Sequence, residues 1–431
     1  MRPGGRLKAA IEVLDEIFHR HRPAALALSE WGKAHRFAGS GDRAAIGNLV
    51  YDVLRRRQSL AAQMGHDTTR ALVLAAAPRA LGLWPDDIIA AADGSEHAPL
   101  PLTADEREGL TRELPADTPL HIKADIPEWL APSFERVFGD SAANEGQALA
   151  QRAPVDLRAN ALKADRDKAL KALSRFNAGP TPMSPVGVRM PAPEGSGRTP
   201  NVEAETGHGK GWWEVQDEAS QIAALLAGAG PRHQVLDLCA GAGGKTLAIA
   251  AGMQNTGQIY AYDRDRIQLR PIFERLKRAG SRNVQVLMAG DEKALRDLGP
   301  RFDVVFVDAP CTGSGVWRRR PDAKWRVKPQ NLADRLKDQR EALDLGAAMV
   351  KPGGRIVYVT CSVLPEENRD QITAFVERHP DFSVIPYRDR WRAVFDTEPP
   401  TSADGNDDTL LLTPARHSTD GFFIAQLERR A

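Results

Sequence analysis

From Gln234 to the C-terminal end, short apolar runs alternate with stretches whose apolar residues recur at helical spacing. This alternation is typical of βαβ units, in which helices cover both faces of a parallel sheet. The apolar runs are QVLDLC, QIYAYD, VQVLM, FDVVFVDAP and GRIVYVTCS. Helical stretches between them include Asp265–Ala279 and Asn331–Val350, and the final FFIAQL is expected as an antiparallel last strand. We therefore predict an α/β fold with a Rossmann-like sheet over residues 221–431, whose ligands bind at the carboxyl ends of the strands.

The segment before this sheet, residues 146–220, is predicted as a small α/β connector. Val155–Leu162 is expected as a strand, Asp165–Phe176 as an amphipathic helix and Asn177–Gly211 as a loop rich in proline and glycine. The run GWWEVQDEASQIAALL then turns into a helix. We expect the connector to pack on the sheet domain.

Residues 1–145 are predicted as an all-helical domain. Apolar residues from Leu7 to Phe18 recur every three or four positions, and helical stretches follow at Asp42–Leu60 and Thr68–Leu81. The run Arg55-Arg56-Arg57 lies in the first of these two stretches. It is either a solvated helix end or a contact for phosphate groups.

The charge balance argues against a globally basic nucleic-acid-binding protein, and the cysteine content argues against a disulfide-rich or zinc-binding protein. The 58 Lys and Arg residues nearly balance the 57 Asp and Glu residues, so any RNA contact must come from a local basic patch. The three cysteines are too few for a disulfide framework and have no zinc-site spacing, so we expect no metal. The most apolar early run, Ala71–Trp84, is too short to span a bilayer, and the N-terminus lacks a signal-peptide core. We expect a cytoplasmic protein that binds no membrane.

The sharpest local signal is DLCAGAGGKT, Asp237 to Thr246, where a predicted strand leads through a glycine-rich turn into a helix. Glycines let the backbone approach a ligand closely, and the start of a helix offers free N–H groups. Two nucleotide-binding motifs fail here, because a P-loop needs glycine in place of Cys239 and a GxGxxG motif needs glycine in place of Thr246. The remaining common interpretation is a turn that binds S-adenosylmethionine.

Two acids at strand ends fit this interpretation. Asp263 ends the second predicted strand, where an acid would hold the ribose hydroxyls of such a cofactor. Asp291, after the third strand, is placed to meet the adenine side. The alternative role for Asp263 is a helix N-cap, but its combination with the glycine turn favours the ligand role.

Two cysteines follow neighbouring strands at the same predicted edge. Cys311 comes after the fourth strand, in the run Asp308-Ala309-Pro310-Cys311, and Cys361 comes after the fifth, in Thr360-Cys361-Ser362. A thiolate that adds to carbon 6 of cytosine makes carbon 5 nucleophilic enough to attack a methyl group. Asp308 is suited to stabilise the charge that develops near ring nitrogen 3, and a base must later remove the carbon-5 proton. The residues alone leave open which cysteine is the nucleophile.

Four motifs carry a resemblance to a known family. In this order, DLCAGAGGKT, DAPCTGSG, TCS and DGFF resemble the Sun/Nop family of RNA cytosine-5 methyltransferases, over about residues 150–430. The segments LRANALK and VQDEASQ support the match. In the helical region, SGDRAAIGNLVYDVLR is similar to the NusB-like domain of the bacterial 16S ribosomal RNA methyltransferase of this family. The resemblance implies that the Rossmann-like sheet is the methyltransferase catalytic domain.

The resemblance also implies roles for the residues in the motifs. Cys361 would be the nucleophile, Cys311 would assist release of the methylated RNA, and Asp308 would bind the base. In DNA cytosine methyltransferases the nucleophile lies in a Pro-Cys pair, which would be Cys311 here. We follow the RNA family because its motifs match most of the chain. The residues implied to line the cofactor are Cys239, Ala240, Gly241, Ala242, Gly243, Gly244, Lys245, Asp263, Asp291 and Asp308.

One departure from the family lies in the cofactor turn, which usually reads CAAPGGKT. Here Gly241 and Ala242 replace Ala and Pro. The change keeps small residues at both positions and leaves the backbone freer.

The segment Val316–Lys328 is the predicted RNA contact. It contains six basic residues, two tryptophans and a single acid, and it follows the Cys311 loop directly. Arginines would hold phosphates, and Trp317 or Trp325 could stack on an exposed base. The alternative is a solvated loop with its tryptophans in the core. The candidate RNA-binding residues are Arg318, Arg319, Arg320, Lys324, Trp325 and Arg326.

These observations lead to one functional hypothesis and two alternatives. We expect S-adenosylmethionine-dependent methylation of cytosine carbon 5 in RNA, with 16S ribosomal RNA as the substrate and the target base unstacked. One alternative is a non-catalytic RNA-binding factor of ribosome assembly that keeps the fold. The other is a methyltransferase that acts on tRNA or DNA. The target nucleotide, the partner of the helical domain and the oligomeric state are left open by the sequence.

Overall fold

The N-terminal region is helical because its apolar residues recur so that each helix buries one face. The computed structural model describes residues 1–431 and has ten α-helices before its first strand. They are α1 (Pro3–His19), α2 (Ala24–Ala34), α3 (Ser40–Arg55), α4 (Arg57–Met64), α5 (Thr69–Leu81), α6 (Pro85–Ala91), α7 (Ala104–Gly109), α8 (Leu120–Lys123), α9 (Ala131–Phe138) and α10 (Ala142–Leu149). The helical stretch predicted over Asp42–Leu60 contains two helices, α3 and α4, which meet at Arg56. None of the helices in the structure has the length and apolarity needed to cross a membrane.

The ten helices do not share a single core. Residues from Leu7 to Leu110 bury a common cluster of 27 residues among themselves. Residues from Ala124 to Leu149 instead join the core beneath one face of the large sheet. The boundary predicted for the helical domain, at residue 145, falls inside α10. The packing favours an earlier domain boundary, between residues 110 and 124.

The connector is a small four-stranded antiparallel sheet with two helices. Its elements are β1 (Val155–Ala159), α11 (Arg166–Ala172), β2 (Gly179–Pro180), β3 (Gly187–Met190), α12 (Thr206–Gly209) and β4 (Trp213–Val215). The strand order is β2-β3-β1-β4. The segment Asn177–Gly211, predicted as a loop, contains two of these strands and α12, so the prediction was wrong there. Its strands were missed because they are short and lie between prolines and glycines, which usually interrupt strands.

The second half of the chain alternates strands and helices as predicted. The elements are α13 (Glu218–Leu226), β5 (Gln234–Asp237), α14 (Gly244–Gly252), β6 (Gln258–Ala261), α15 (Arg266–Leu269), α16 (Ile272–Ala279), β7 (Val284–Val286), α17 (Glu292–Arg296), β8 (Phe302–Asp308), α18 (Pro321–Lys324), α19 (Pro329–Met349), β9 (Val350–Thr360), α20 (Arg369–Arg378), β10 (Phe382–Ile385), α21 (Tyr387–Val394), β11 (Leu410–Leu412), α22 (Pro414–His417) and β12 (Phe422–Arg429). The helix predicted over Asp265–Ala279 is divided at Pro271, because proline lacks the N–H that the helix ladder needs.

These strands form one eight-stranded sheet in the order β10-β12-β9-β8-β5-β6-β7, with β11 paired to β12. Strands β5 to β9 are parallel, and Val235 of β5 pairs with Ile259 on one side and Val304 on the other. The last strand, β12, is antiparallel to β9. Apolar clusters of 33 and 23 buried residues cover the two faces, as expected for a parallel sheet between helices. The predicted α/β fold with a Rossmann-like sheet is confirmed.

Candidate active site

The predicted site residues meet at one edge of the large sheet. Cys239 follows β5, Asp263 follows β6, Cys311 follows β8 and Cys361 follows β9. Because these strands are parallel neighbours, their carboxyl ends open on the same side. The residues line a cleft of about 1460 Å³ together with Asp308, the last residue of β8. The expectation that the cysteines lie at the carboxyl ends of strands is confirmed.

The glycine-rich turn has two positions whose backbone conformation favours glycine. Gly241 and Gly243 have φ angles of +49° and +83°, in the region that favours glycine. A Cβ on Gly243 would lie 2.5 Å from Cγ1 of Ile272 in α16. The turn therefore packs against α16, and α14 begins directly after it at Gly244.

The two residues that depart from the family turn, Gly241 and Ala242, each form a hydrogen bond with a side chain outside the turn. The N–H of Gly241 donates to Oδ2 of Asp263 at 2.9 Å. The carbonyl oxygen of Ala242 accepts from Nη1 of Arg275 at 2.9 Å. The freer backbone expected at these two positions is therefore restrained by side chains outside the turn.

The acids predicted to bind the cofactor have different surroundings. Asp263 lines the cleft, and its Oδ1 accepts from the Asp265 N–H at 2.8 Å. The N-cap of α15 is Asp265, so Asp263 does not have the alternative role of a helix cap. Asp291 caps α17 by accepting from the Ala294 N–H at 2.9 Å and does not line the cleft. Its contact with adenine stays a prediction.

The other predicted cofactor residues lie mostly at the cleft wall. Gly243 is buried behind the turn, whereas the remaining ones line the cleft. Those that line it are Cys239, Ala240, Gly241, Ala242, Gly244, Lys245 and Asp308.

A lysine and a carboxylate form an ion pair at the centre of the cleft. Nζ of Lys245 lies 2.6 Å from Oδ2 of Asp308 and 5.2 Å from the ring centroid of Phe422. Burial by itself would lower the pKa of Lys245, but the charge and hydrogen bond of Asp308 raise it above its ordinary value. The raised pKa favours the charged form of Lys245 beside Asp308, whose side chain is 31% exposed in the cleft.

The two catalytic candidates among the cysteines lie side by side as free thiols. Sγ of Cys311 is 3.4 Å from Sγ of Cys361, too far for a disulfide and close enough for an S–H···S contact. The hydrogen bond to Cys361, together with burial, raises the pKa of Cys311 well above its ordinary value. Burial also raises the pKa of Cys239. Cys311 is thus a neutral thiol at neutral pH.

The two cysteine loops are fastened to each other. The N–H of Gly315 donates to the carbonyl oxygen of Cys361 at 2.9 Å. The hydroxyls of Ser314 and Ser362 are 2.9 Å apart, and the Val363 N–H donates to the Ser314 hydroxyl at 2.9 Å. These bonds explain how two loops from different strands hold their thiols in contact.

A charge cluster that the sequence did not predict lies at the rim of the same cleft. Nη2 of Arg319 lies 2.9 Å from Oδ2 of Asp217, and its Nε bonds to Asp420. Burial raises the pKa of Asp420. Asp217 belongs to VQDEASQ and Asp420 to DGFF, two segments that supported the family resemblance without having a role assigned to them. The signal for this cluster was therefore in the sequence.

The predicted phosphate contacts of Arg318 and Lys324 were wrong. Arg318 is 4% exposed and bonds to Asp420 and Asp217. Lys324 is 1% exposed, and its Nζ donates to the carbonyl oxygen of Arg55 at 2.7 Å. Burial lowers the pKa of Lys324 to about 7. Both cations are enclosed by protein and cannot reach a phosphate in this conformation.

The tryptophans of the same segment are also internal. Trp317 is fully buried and stacks on Phe134 with ring centroids 6.3 Å apart. Nε1 of Trp325 donates to the carbonyl oxygen of Leu54 in the helical domain. A base-stacking role is therefore wrong for Trp317, and Trp325 is already engaged by the helical domain.

The segment 317–326 joins the helical domain to the sheet domain instead. Arg55, from the predicted basic run, donates to the carbonyl oxygen of Arg318 and is 9% exposed, so neither interpretation of that run holds for it. Of the six predicted RNA-binding residues, Arg320 and Arg326 are exposed. Arg320 lines the cleft, and Arg326 pairs with Asp322 at 3.0 Å.

Comparison with known families gives two matches. Residues 224–428 match a family model described as 16S rRNA methyltransferase RsmB/F. Residues 126–194 match a model for the ferredoxin-like domain of RsmF/B-like methyltransferases. The second match begins near the point where the helices leave the N-terminal core and pack on the sheet domain.

Individual proteins agree with these matches. A Synechocystis protein named "Probable ribosomal RNA small subunit methyltransferase B" is 33% identical over 314 residues, which cover 70% of this chain and 67% of that protein. The aligned part thus spans about two thirds of the relative. The crystal structure of PH0851 has a TM-score of 0.74 and 25% identity, covering 100% of this chain and 99% of that one. A methyltransferase homolog protein from Pyrococcus horikoshii has a TM-score of 0.59 and 26% identity, covering 72% of this chain and 98% of that one.

Proposed function

Because the chain belongs to the 16S rRNA methyltransferase RsmB/F family, we propose that it methylates carbon 5 of a cytosine in RNA through a covalent cysteine adduct. The methyl donor of this methyltransferase is S-adenosylmethionine. The expected substrate is 16S ribosomal RNA, the molecule named in the family description. The observation that carries the proposal is the contact between Cys311 and Cys361, 3.4 Å apart, in the cleft that also holds the Lys245–Asp308 pair.

The cleft fits S-adenosylmethionine. Gly241 lines the cleft and has no side chain, so a ligand can approach the backbone of the turn just before α14 begins. Asp263 is held at the cleft wall by hydrogen bonds from two backbone N–H groups, which leave acceptor capacity on its oxygens for ribose hydroxyls. The bound cofactor would supply the methyl group on a positively charged sulfur.

Cys361 begins the reaction in this proposal. Its thiolate adds to carbon 6 of the cytosine, so an S–C6 bond forms and the electrons of the C5–C6 double bond move into the ring. Carbon 5 thereby becomes nucleophilic and would accept the methyl group that the cofactor supplies, while the cofactor sulfur keeps the electrons of its broken bond to that methyl group. Carbon 5 then carries both the methyl group and its original proton. Asp308 and Lys245 face the developing charge as a hydrogen-bonded pair, and the Lys245 ammonium stabilises it in a site with little water.

Cys311 completes the reaction in this proposal. After its own proton has left to solvent, the Cys311 thiolate takes the proton from carbon 5. The C5–C6 double bond forms again, the S–C6 bond breaks, and Cys361 leaves as a thiolate. A thiolate whose thiol has a high pKa is a strong base. The pKa of Cys311 is raised by its hydrogen bond to Cys361, which the adduct removes, and by burial, which the adduct keeps.

The test follows the two thiols separately. Unmethylated 16S ribosomal RNA is incubated with S-adenosylmethionine labelled with tritium in its methyl group, and 5-methylcytosine and denaturation-stable protein–RNA adducts are measured. Cys361→Ala should give neither product, whereas Cys311→Ala should accumulate the adduct because release is blocked. Full turnover by Cys361→Ala would contradict the assignment of the nucleophile. Single-stranded DNA of the same sequence serves as the competing substrate, and preferential labelling of the DNA would contradict the RNA assignment.

A further inference from the structure

Glu367 is a fully buried carboxylate beside the cysteine loops, and the proposed mechanism does not use it. It lies in the loop between β9 and α20 and is 0% exposed. None of the ion pairs in the structure includes it, and burial raises its pKa. A carboxylate buried without a cation is costly to maintain. Its retention next to two thiols therefore points to a function in holding them.

The hydrogen bonds of Glu367 converge on the residue after Cys311. Its Oε1 accepts from the Thr312 N–H at 2.8 Å, and its Oε2 accepts from the Thr312 hydroxyl at 2.6 Å. Both carboxylate oxygens are thus used to orient one residue. A two-point contact fixes rotation as well as distance, because neither bond can move without the other.

The residue before Cys311 is held by a second buried side chain. Gln339 of α19 is 0% exposed, and its Nε2 donates to the carbonyl oxygen of Pro310 at 2.9 Å. The same nitrogen donates to Oε1 of Glu367 at 3.0 Å. Glu367 and Gln339 therefore restrain the backbone on both sides of Cys311.

Glu367 is itself rigidly connected to Cys361. The hydroxyl of Tyr358 in β9 donates to the carbonyl oxygen of Glu367 at 2.7 Å. The next residue, Asn368, donates to the carbonyl oxygen of Ser362 at 2.9 Å and accepts from the Thr360 hydroxyl at 2.6 Å. Hydrogen bonds within the segment from Thr360 to Asn368 therefore join its two ends, and Glu367 links this segment to the Cys311 loop.

We propose that Glu367 is a positioning residue for release of the methylated base, and that it holds the Cys311 loop where its thiol can take the carbon-5 proton. This inference rests on the proposed cytosine-5 activity. Proton transfer depends steeply on the separation of donor and acceptor, so release should be more sensitive to this carboxylate than addition of Cys361. The charge of Glu367 also contributes to the raised pKa of Cys311, after the hydrogen bond to Cys361 and burial.

The test compares Glu367→Gln with Glu366→Gln, a matched change at the adjacent position. Glu366 lies in the same loop, but its side chain bonds to Ser133 and Arg136 and makes no hydrogen bond to Thr312 or to either cysteine. In Glu367→Gln the shape is kept, but one oxygen is replaced by an amide that cannot accept from Thr312. Single-turnover experiments with the full chain and unmethylated 16S ribosomal RNA would measure the formation and the decay of the covalent adduct.

Glu367→Gln should slow adduct decay by about 10- to 100-fold, with adduct formation and RNA binding changed by less than about threefold. The decay rate should also reach half of its maximum at a lower pH than in wild type, because Cys311 has lost a neighbouring negative charge. Glu366→Gln should match wild type in both respects. Equal slowing of formation and decay, with no pH shift, would mean that Glu367 only supports the fold and would overturn the proposal.

Thr312→Val keeps the test decisive if Glu367→Gln does not fold. It removes the hydroxyl that donates to Oε2 and leaves the N–H bond to Oε1, so a smaller slowing of the same decay step is expected. Adduct decay at the wild-type rate in both folded variants would overturn the positioning role alone. A wild-type chain that forms no adduct at all would overturn the cytosine-5 proposal, and the positioning role with it.

Discussion

Two lysines in different regions of the molecule are both largely enclosed by protein, but their pKa values are shifted in opposite directions. Lys245, at the strand edge of the cleft, has a side chain that is 12% exposed and lies 2.6 Å from a carboxylate oxygen of Asp308. Lys324, where the helical domain meets the sheet domain, is 1% exposed and donates to a carbonyl oxygen. The pKa of Lys245 is raised by Asp308, whereas burial lowers the pKa of Lys324 to about 7.

The difference teaches what a buried cation does in each place. A carboxylate in direct contact offsets the cost of removing an ammonium from water, and the pair remains available to charge that develops on a substrate. A carbonyl oxygen offsets that cost only in part. The nearest acid to influence Lys324 is Asp125, whose own pKa is raised by burial. The cleft therefore keeps its lysine charged, whereas the lysine at the domain interface loses its proton near pH 7.

The largest expected effect is on the pH dependence of stability through Lys324. Its pKa is about 7 in the folded chain and 10.5 when unperturbed, so the unfolded chain binds more protons between these values. Stability should therefore rise with pH from about 7 to 10.5, by at most about 5 kcal/mol, and the penalty should be complete below pH 7. Lys324→Met removes the titrating group, so the stability gained between pH 7 and 9.5 should be smaller than in wild type.

Urea unfolding of both proteins at pH 7 and pH 9.5 measures this change. Other titrating groups are common to the two chains and cancel in the difference. Lys245→Met is the control, because a raised pKa gives stability that is present below the unperturbed value and lost only as pH rises through the folded value. An equal pH slope in wild type and Lys324→Met would contradict the lowered pKa of Lys324.

The next largest effect is on the rate of methyl transfer, and here Lys245 should matter more than Lys324. Lys245→Met should lower the single-turnover rate of methyl transfer by about 10²- to 10³-fold, the usual loss for a preorganised group that stabilises transition-state charge. Lys324→Met should remain within about threefold of wild type, since its Nζ contacts only the domain interface. Comparable losses in both variants would mean that the two regions do not differ in function.

The same two regions differ in how far the sequence predicted them. The cleft was predictable because strand periodicity places Cys239, Cys311 and Cys361 after β5, β8 and β9, and parallel strands bring their carboxyl ends together. The glycines of the turn were also visible, since positive φ angles restrict a position to few residue types. These signals are local in sequence. Because the carboxyl ends of neighbouring parallel strands lie at one edge of a sheet, the residues that follow those strands can be predicted to lie close together.

The interface was not predictable by the same reasoning. Arg318 and Lys324 were placed at the surface because isolated charges are rarely buried. Their partners, Asp420 and the carbonyl oxygen of Arg55, are 102 and 269 residues away in the chain, and no local pattern connects them. The Glu367 contact with Thr312 was missed for the same reason, with a separation of 55 residues.

The smallest expected effect concerns RNA affinity and separates the two ends of the segment 317–326. Arg320 is exposed on the cleft side without a carboxylate partner, whereas Arg326 is paired with Asp322 on the side of the helical domain. Arg320→Ala should weaken RNA binding a few-fold near 0.1 M salt and lower the slope of log affinity against log salt by about one, as loss of one phosphate contact does. Arg326→Ala should have less effect, because its guanidinium is already neutralised. Titrations at several salt concentrations would measure the affinity and the salt slope of both variants. A larger loss of affinity in Arg326→Ala than in Arg320→Ala would place the RNA path on the interface side of the segment. The two regions would then no longer differ in function.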